Sequence, residues 1–125
     1  MATKHIAKLT RQGAIIKLSQ DNAAGATMDI DLATDLKLAS ETFTLANAEV
    51  AITQIIWSSK TAKDVRLSRL SPGLTLHGDY YLSGNGIFKF DGFKDSEFGD
   101  YDLRATFSGE GTLIVYLSKV SGYTV

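Results

Sequence analysis

Short runs of β-branched and aromatic residues recur along this 125-residue chain, separated by glycine, asparagine, aspartate and serine. The runs follow one another at a spacing of about ten residues, and hardly any segment has the periodicity of an amphipathic helix. Many short strands with frequent turns are typical of antiparallel sandwiches and barrels. The sequence therefore predicts an all-β fold, either an antiparallel β-sandwich of jelly-roll type or a compact barrel.

Two segments give the clearest strand signals. In "MDIDLATDLKL", which begins at Met28, apolar and polar residues alternate; this predicts a strand over 26–32 and leaves 33–40 open between strand and helix. In "VAITQIIWSS", which begins at Val50, apolar residues occupy both parities, so we expect a central strand that is buried on both faces. Further short strands are predicted for "DVRLSRL", around Leu74–Leu76 and over Tyr80–Leu82.

Two turns predict hairpins. "SGNG" at 83–86 contains an Asn-Gly pair, which supplies the positive φ values that a tight reversal needs. "YDLRATF", "SGEG" and "TLIVYLSKV" follow one another near the C-terminus. The two strand-like runs around "SGEG" predict the best-defined hairpin in the chain.

Composition limits the organisation of the protein. A chain of this length with a single proline fits one domain, residues 1–125, with one core. The absence of cysteine excludes disulfides, thiolate metal sites and a cysteine nucleophile. "MATKHIAKLTRQGAIIKLS" lacks the apolar run of a signal peptide, and no stretch approaches the roughly 18 apolar residues of a membrane span. We expect a protein that starts at its own Met1 and is not inserted in a membrane.

Basic residues are concentrated near the N-terminus, where Lys4, Lys8, Arg11 and Lys17 have no acidic residue among them. Such charges usually form a solvated face. Residues 1–12, however, can form either an edge strand or an arm that reaches a neighbouring molecule. The net charge of −1 argues against a dedicated nucleic-acid binder. These four side chains are therefore candidates for a protein interface.

Acidic and aromatic side chains are concentrated in "FDGFKDSEFGDYD", from Phe90 to Asp102. An EF-hand loop that started at Asp91 would need an oxygen ligand at its third position and glycine at its sixth. This chain has Phe93 and Ser96 there, so the EF-hand template fails.

Two interpretations of the loop 91–102 stay open. A non-standard calcium site could use Asp91, Asp95 and Asp100, or the loop could be an exposed acidic connection anchored by its phenylalanines. We favour the second interpretation and predict no metal. Asp95 and Glu97 then become candidate contacts for the basic N-terminal residues of another subunit.

Residues that could support catalysis are few. His5 and His77 are the only histidines, and neither has a partner at metal-ligand spacing. Ser71, His77 and Asp79 lie close in sequence, but no G-x-S-x-G nucleophile turn is present. We therefore predict that the protein is not an enzyme and needs no cofactor.

Aromatic residues offer a different function. Trp57, Tyr80, Tyr81 and Tyr116 could form a platform on which sugar rings stack, although each lies in a strand-like apolar run, where core or interface packing is commoner. A carbohydrate-binding β-sandwich module is therefore the alternative from another class of protein.

Several segments taken in order, "AITQIIWSSK", "VRLSRL", "LSGNGIFKFDGF" and "GTLIVYLSKVSGY", resemble small β-rich virion proteins of tailed bacteriophages. Those proteins show an apolar strand that ends in Trp-Ser and an Arg-containing strand. They also show L-S-G-x-G followed by an aromatic-Asp-Gly-Phe segment, and a closing G-T-L-I strand. The resemblance covers residues 51–123.

This resemblance implies a structural role without catalytic residues. Such a protein cements or decorates the icosahedral capsid, and we expect the major capsid protein and further copies of the chain as partners, in a trimer for example. It would be made in the host cytoplasm and located on the capsid surface, without nucleic-acid or membrane partners. A small tail or baseplate protein is the alternative within the virion.

Overall fold

A computed structural model describes residues 2–90 and 94–125 of the chain. The described residues form β-strands and one short 3-10 helix, Leu45–Asn47. The strands are β1 (Ala2–Leu9), β2 (Gly13–Gln20), β3 (Ala26–Ile30), β4 (Thr42–Phe43), β5 (Glu49–Ser59), β6 (Asp64–Leu70), β7 (Leu76–Ser83), β8 (Asn85–Lys89), β9 (Asp102–Phe107), β10 (Gly111–Ser121) and β11 (Tyr123–Thr124). The all-β prediction is confirmed.

The strands form two main antiparallel sheets. One has five strands in the order β1-β2-β10-β5-β8, the other has four in the order β3-β9-β6-β7, and β4 pairs separately with β11. Without β1, the orders β2-β10-β5-β8 and β3-β9-β6-β7 are those of a jelly roll, which is built from two Greek keys. The sandwich prediction is therefore confirmed, and the sheets do not close into a barrel.

The core lies between the two sheets because alternate residues of each strand point to the same side. In β2 the buried positions are Ala14, Ile16, Leu18 and Gln20, and in β9 they are Leu103, Ala105 and Phe107. β5 is buried at successive positions near its start, as expected for an interior strand, whereas its second half is buried mainly on one face. Its place between β10 and β8 confirms that it is not an edge.

Both predicted hairpins, at "SGNG" and at "SGEG", are wrong. "SGNG" joins β7 of the four-stranded sheet to β8 of the five-stranded sheet, and the positive φ (70°) falls on Gly84. "SGEG" likewise joins β9 to β10 across the sandwich. The sequence-adjacent strands that do pair with each other are β1 with β2 and β6 with β7. A tight turn fixes a reversal of direction, but it does not decide which sheet receives the next strand.

Two other segments depart from the predicted strands. β3 ends at Ile30, and the following residues form turns in which Leu32 and Leu36 still fill the core. Leu74 lies in a turn with φ 63° and is 72% exposed, so β7 starts only at Leu76 and then continues to Ser83.

The N-terminal segment is an edge strand rather than a free arm. β1 pairs with β2 along its whole length and carries a bulge between Ile6 and Lys8. Nearly all of its residues are exposed, as expected for the outermost strand of the five-stranded sheet.

Candidate interaction surface

The described part of the acidic stretch lies against β5. Its residues 94–101 run beside the start of β5, where the Ile52 N–H donates to the Asp95 carbonyl oxygen (2.7 Å) and the Val50 N–H donates to Gly99 (2.9 Å). Asp91 and Phe93 lie outside the described residues. Residues 94–101 are therefore partly built into the sheet, and they are less exposed than the sequence predicts.

Within this stretch, Asp95 has partners in its own chain. Its carboxylate accepts a hydrogen bond from the Tyr80 hydroxyl and another from the Glu97 N–H (3.1 Å). Burial and the hydrogen bond to Asp95 raise the pKa of Tyr80 above its ordinary value. Glu97 itself is exposed. A role for Asp95 at an interface stays a prediction, but its side chain already stabilises the end of the sandwich.

Arg69 lies beneath the same stretch and is only 2% exposed. It donates from Nη2 to the carbonyl oxygens of Val50 (2.8 Å) and Asp95 (3.3 Å), and so it links β6 to β5. Burial lowers the pKa of its guanidinium, and the nearby charge of Asp95 opposes that effect. This arginine therefore serves to hold the two sheets together.

Candidate metal ligands do not assemble in the part of the chain that the structure describes. Among residues 2–90 and 94–125, no three histidine, aspartate or glutamate side chains lie close enough together to hold a metal ion. Asp100 is exposed, and Asp91, the third member of the calcium hypothesis, is not described.

The sequence neighbours Ser71, His77 and Asp79 have separate partners. Asp79 binds Arg66 through two hydrogen bonds (2.8 and 3.1 Å) and also accepts one from Ser68. His77 packs against two aromatic rings, with its centroid 4.9 Å from that of Phe98 and 5.4 Å from that of Tyr101. The Ser71 hydroxyl accepts from the Thr75 N–H. The three side chains thus support local structure.

The four aromatic residues of the sugar-binding hypothesis do not share a surface. Trp57 and Tyr80 pack against the core, and the Trp57 indole donates to the Ser83 carbonyl oxygen (3.0 Å). Tyr81 lies on the outer face of the four-stranded sheet, with the Arg66 guanidinium 5.2 Å from its ring centroid. Tyr116 lies on the outer face of the other sheet. A common stacking platform is therefore absent among these four.

The basic N-terminal residues are also divided. Lys4 pairs with Leu18, which faces the core, and its ammonium group donates to Asp35 (2.7 Å) and to the Asp29 carbonyl oxygen (3.1 Å). Arg11 is exposed in the turn between β1 and β2. Lys8 and Lys17 instead belong to the outer face, since their strand partners there, Ile15 and Ile114, alternate with buried core positions.

Cross-strand registers place three rows of residues side by side on the outer face of the five-stranded sheet, and we call these rows the lysine–isoleucine face. The rows are Lys8, Ile15, Tyr116, Gln54 and Lys89; His5, Lys17, Ile114, Ile56 and Ile87; and Thr3, Ser19, Thr112, Ser58 and Asn85. No position in these rows is a carboxylate. Lys89 and the isoleucine row were not predicted as site residues, although the alternation in "IFKF" places Ile87 and Lys89 on one side.

The outer face of the four-stranded sheet carries charges that are paired. Arg104 binds Asp29 through two hydrogen bonds (2.7 and 2.9 Å), and Arg66 binds Asp79 in the same manner. These bonds hold the pKa of each arginine above its ordinary value. The two outer faces therefore differ in what they offer to another molecule.

No known protein-family model matches this chain, and no curated protein matches its sequence. In the described part of the chain, no helix has the length and apolar character needed to cross a membrane.

Proposed function

We propose that this chain is a structural virion protein of a tailed bacteriophage, of the type that cements or decorates the capsid. It binds the major capsid protein in many copies and stabilises the shell from outside. The proposal extends the sequence resemblance over residues 51–123 and assigns no catalytic residue or cofactor to the protein.

The observation that carries the proposal is the lysine–isoleucine face. Five strands at a spacing of about 4.8 Å form a broad surface roughly 20 Å wide. Ile114 and Ile56 lie near its middle, and Ile87 at its margin is 64% exposed. Stable protein complexes combine an apolar centre with a polar rim over an area of this order. Such a surface suits attachment to a repeating protein lattice.

Self-association forms part of the proposal, as a symmetric oligomer such as a trimer. Closed symmetry would present several identical faces to the lattice at once, and simultaneous contacts raise the effective affinity. The edge strand β1 and the nearby Arg11 are exposed and available for contacts between copies. Sedimentation of the purified protein over a range of concentrations tests this part.

The test of the function is reconstitution on capsids that lack the protein. Co-sedimentation is expected to show saturable binding, and the shells should withstand higher temperature with the protein bound. A protein that stays monomeric and neither binds nor stabilises such shells would overturn the proposal. Many copies per particle would support decoration, whereas only a handful would favour the tail or baseplate alternative.

A further inference from the structure

The lysine–isoleucine face carries positive charge that its own chain does not neutralise. Lys8, Lys17 and Lys89 point outward and are exposed. Within residues 2–90 and 94–125 none of the three has a salt-bridge partner. The whole protein has a net charge of −1. An excess of positive charge on this face therefore implies an excess of negative charge elsewhere on the molecule.

The lysines flank the apolar part of the face. Lys8 and Lys89 lie at opposite ends of one row, separated by Ile15, Tyr116 and Gln54. Four strand spacings put their backbones about 19 Å apart. The apolar stems of such lysines can cover neighbouring isoleucines while the ammonium groups stay in water. The result is an apolar centre with a cationic rim.

This arrangement fits an acidic protein surface better than it fits a nucleic acid or a second copy of the chain. Phosphate backbones are bound by continuous tracks of cations, each neutralising a phosphate, whereas here apolar residues lie between the lysines. A second copy docked face to face would oppose lysines to lysines, which is unfavourable. An acidic protein surface with its own apolar centre satisfies both parts of the face.

We propose that the lysine–isoleucine face is the docking surface for a carboxylate-rich protein surface, recognised by Lys8, Lys17 and Lys89 around the isoleucines. In placing that acidic surface on the capsid shell, the inference rests on the proposed function. Charge attraction then guides the protein to the lattice, and the apolar centre holds it there.

The test uses a double charge reversal, Lys17→Glu with Lys89→Glu. The matched control is Lys37→Glu with Lys63→Glu, which changes the net charge equally at residues that belong to none of the three rows. Binding to shells that lack the protein is measured by co-sedimentation at several salt concentrations. The face variant should bind at least about tenfold more weakly at low salt, and its affinity should depend less on salt. The control should stay within about twofold of the unaltered protein.

A second variant tests the apolar part. Ile87→Ser removes an exposed side chain on an edge strand, so the fold should tolerate it. It should weaken binding several-fold at every salt concentration, because apolar burial is not screened by ions. Matching far-ultraviolet circular dichroism spectra and unfolding midpoints would show that all variants are folded.

A resin that carries carboxylate groups separates the failure of this inference from failure of the proposed function. If the face variant loses retention on this resin and the control keeps it, the face binds carboxylates whether or not the protein binds capsids. Equal loss in both variants, or tighter binding of the unaltered protein to duplex DNA or to anionic vesicles than to shells, would overturn the inference. Shell binding that is unaffected by the face variant would overturn it while leaving the proposed function standing.

Discussion

On the outer face of the four-stranded sheet, Arg104 and Arg66 are each held by an aspartate through two hydrogen bonds. On the outer face of the five-stranded sheet, Lys8, Lys17 and Lys89 project without such partners among the described residues. A paired charge has already exchanged water for a partner and offers little to another molecule. An unpaired charge keeps its full capacity to bind, which is why we propose the second face as the recognition surface.

The same distinction holds between the two sides of the five-stranded sheet. Lys119 in β10 points inward, is fully buried, and donates to Glu41 (2.5 Å) and to the Thr10 carbonyl oxygen (3.0 Å). Its ammonium group lies 4.5 Å from the ring centroid of Tyr123. Lys17, in the neighbouring strand, points outward. One sheet thus uses lysine for structure on one side and leaves it free on the other.

The largest loss in the free energy of unfolding is expected from Lys119→Ala, and Lys17→Ala is its matched control. Removing Lys119 leaves the Glu41 carboxylate buried without its cation, which costs about 3–5 kcal/mol. Removing Lys17 should change the free energy of unfolding by less than about 0.5 kcal/mol. Urea denaturation measures both. Equal effects would mean that the two sides of the sheet do not differ as described.

A smaller loss of stability is expected from a substitution at Gly86, which lies just after the connection between the two sheets at Gly84. A Cβ at Gly86 would lie 2.4 Å from the Trp57 ring, so Gly86→Ala must displace the indole and should cost about 1–3 kcal/mol. Gly73→Ala is the control, because the nearest atom to its Cβ would be 3.9 Å away. Thermal unfolding and tryptophan fluorescence measure the result, and an unshifted emission spectrum in a destabilised Gly86→Ala would contradict the stated cause.

Acid should weaken the inner side of the five-stranded sheet selectively. Burial raises the pKa of Glu41, but hydrogen bonds from Lys119 and the Leu38 N–H, together with the charges of Lys119 and Arg11, outweigh it and hold the pKa below 4.5. A depressed carboxyl pKa gives stability that is complete above 4.5 and is lost as the pH falls through the folded-state value. Unfolding free energies of the unaltered protein and Glu41→Gln should therefore converge with falling pH. A constant difference would refute this linkage.

The smallest effects are expected on the outer face of the four-stranded sheet. Asp29→Asn and Asp79→Asn each break a partly exposed pair, and such pairs contribute about 1 kcal/mol or less. Each change should nevertheless exceed the effect of Lys17→Ala, because the Lys17 side chain has no ion-pair partner among the described residues. Salt titration of the unfolding midpoint should show a weaker dependence in the two variants than in the unaltered protein.

Strand positions could be predicted from the sequence because burial on one face leaves a period of two, as in β9 and β10. Their pairing could not be predicted, since a strand shows the same alternation whether its neighbour in sequence lies beside it or in the opposite sheet. "SGEG" and "SGNG" both reverse the chain, yet both join strands of different sheets. The information that decides pairing lies in contacts far apart in the chain.

For the basic residues of the candidate site, a local irregularity explains why their positions could not be predicted. Lys4 and Lys8 have the same parity in the sequence, which would put both on one face of a regular strand. The bulge between Ile6 and Lys8 shifts that register, so Lys4 faces inward to Asp35 while Lys8 faces outward. Bulges carry little sequence signal, and the salt bridge to Asp35 spans 31 positions. The sequence therefore shows that the four basic residues are close together in the chain, but it does not predict that they divide between the two sides of the sheet.

The place of β10 in the middle of the five-stranded sheet has a consequence for biosynthesis. β10 lies between β2 and β5 and pairs with both. Neither strand can form these hydrogen bonds until residues 111–121 have left the ribosome. Pairings between such distant segments slow the search for the native state. During that interval the nascent chain exposes apolar side chains and unpaired strand edges, which chaperones protect from aggregation. Substitutions in β10 should accordingly reduce the yield of folded protein in cells more than their effect on the finished sandwich would suggest.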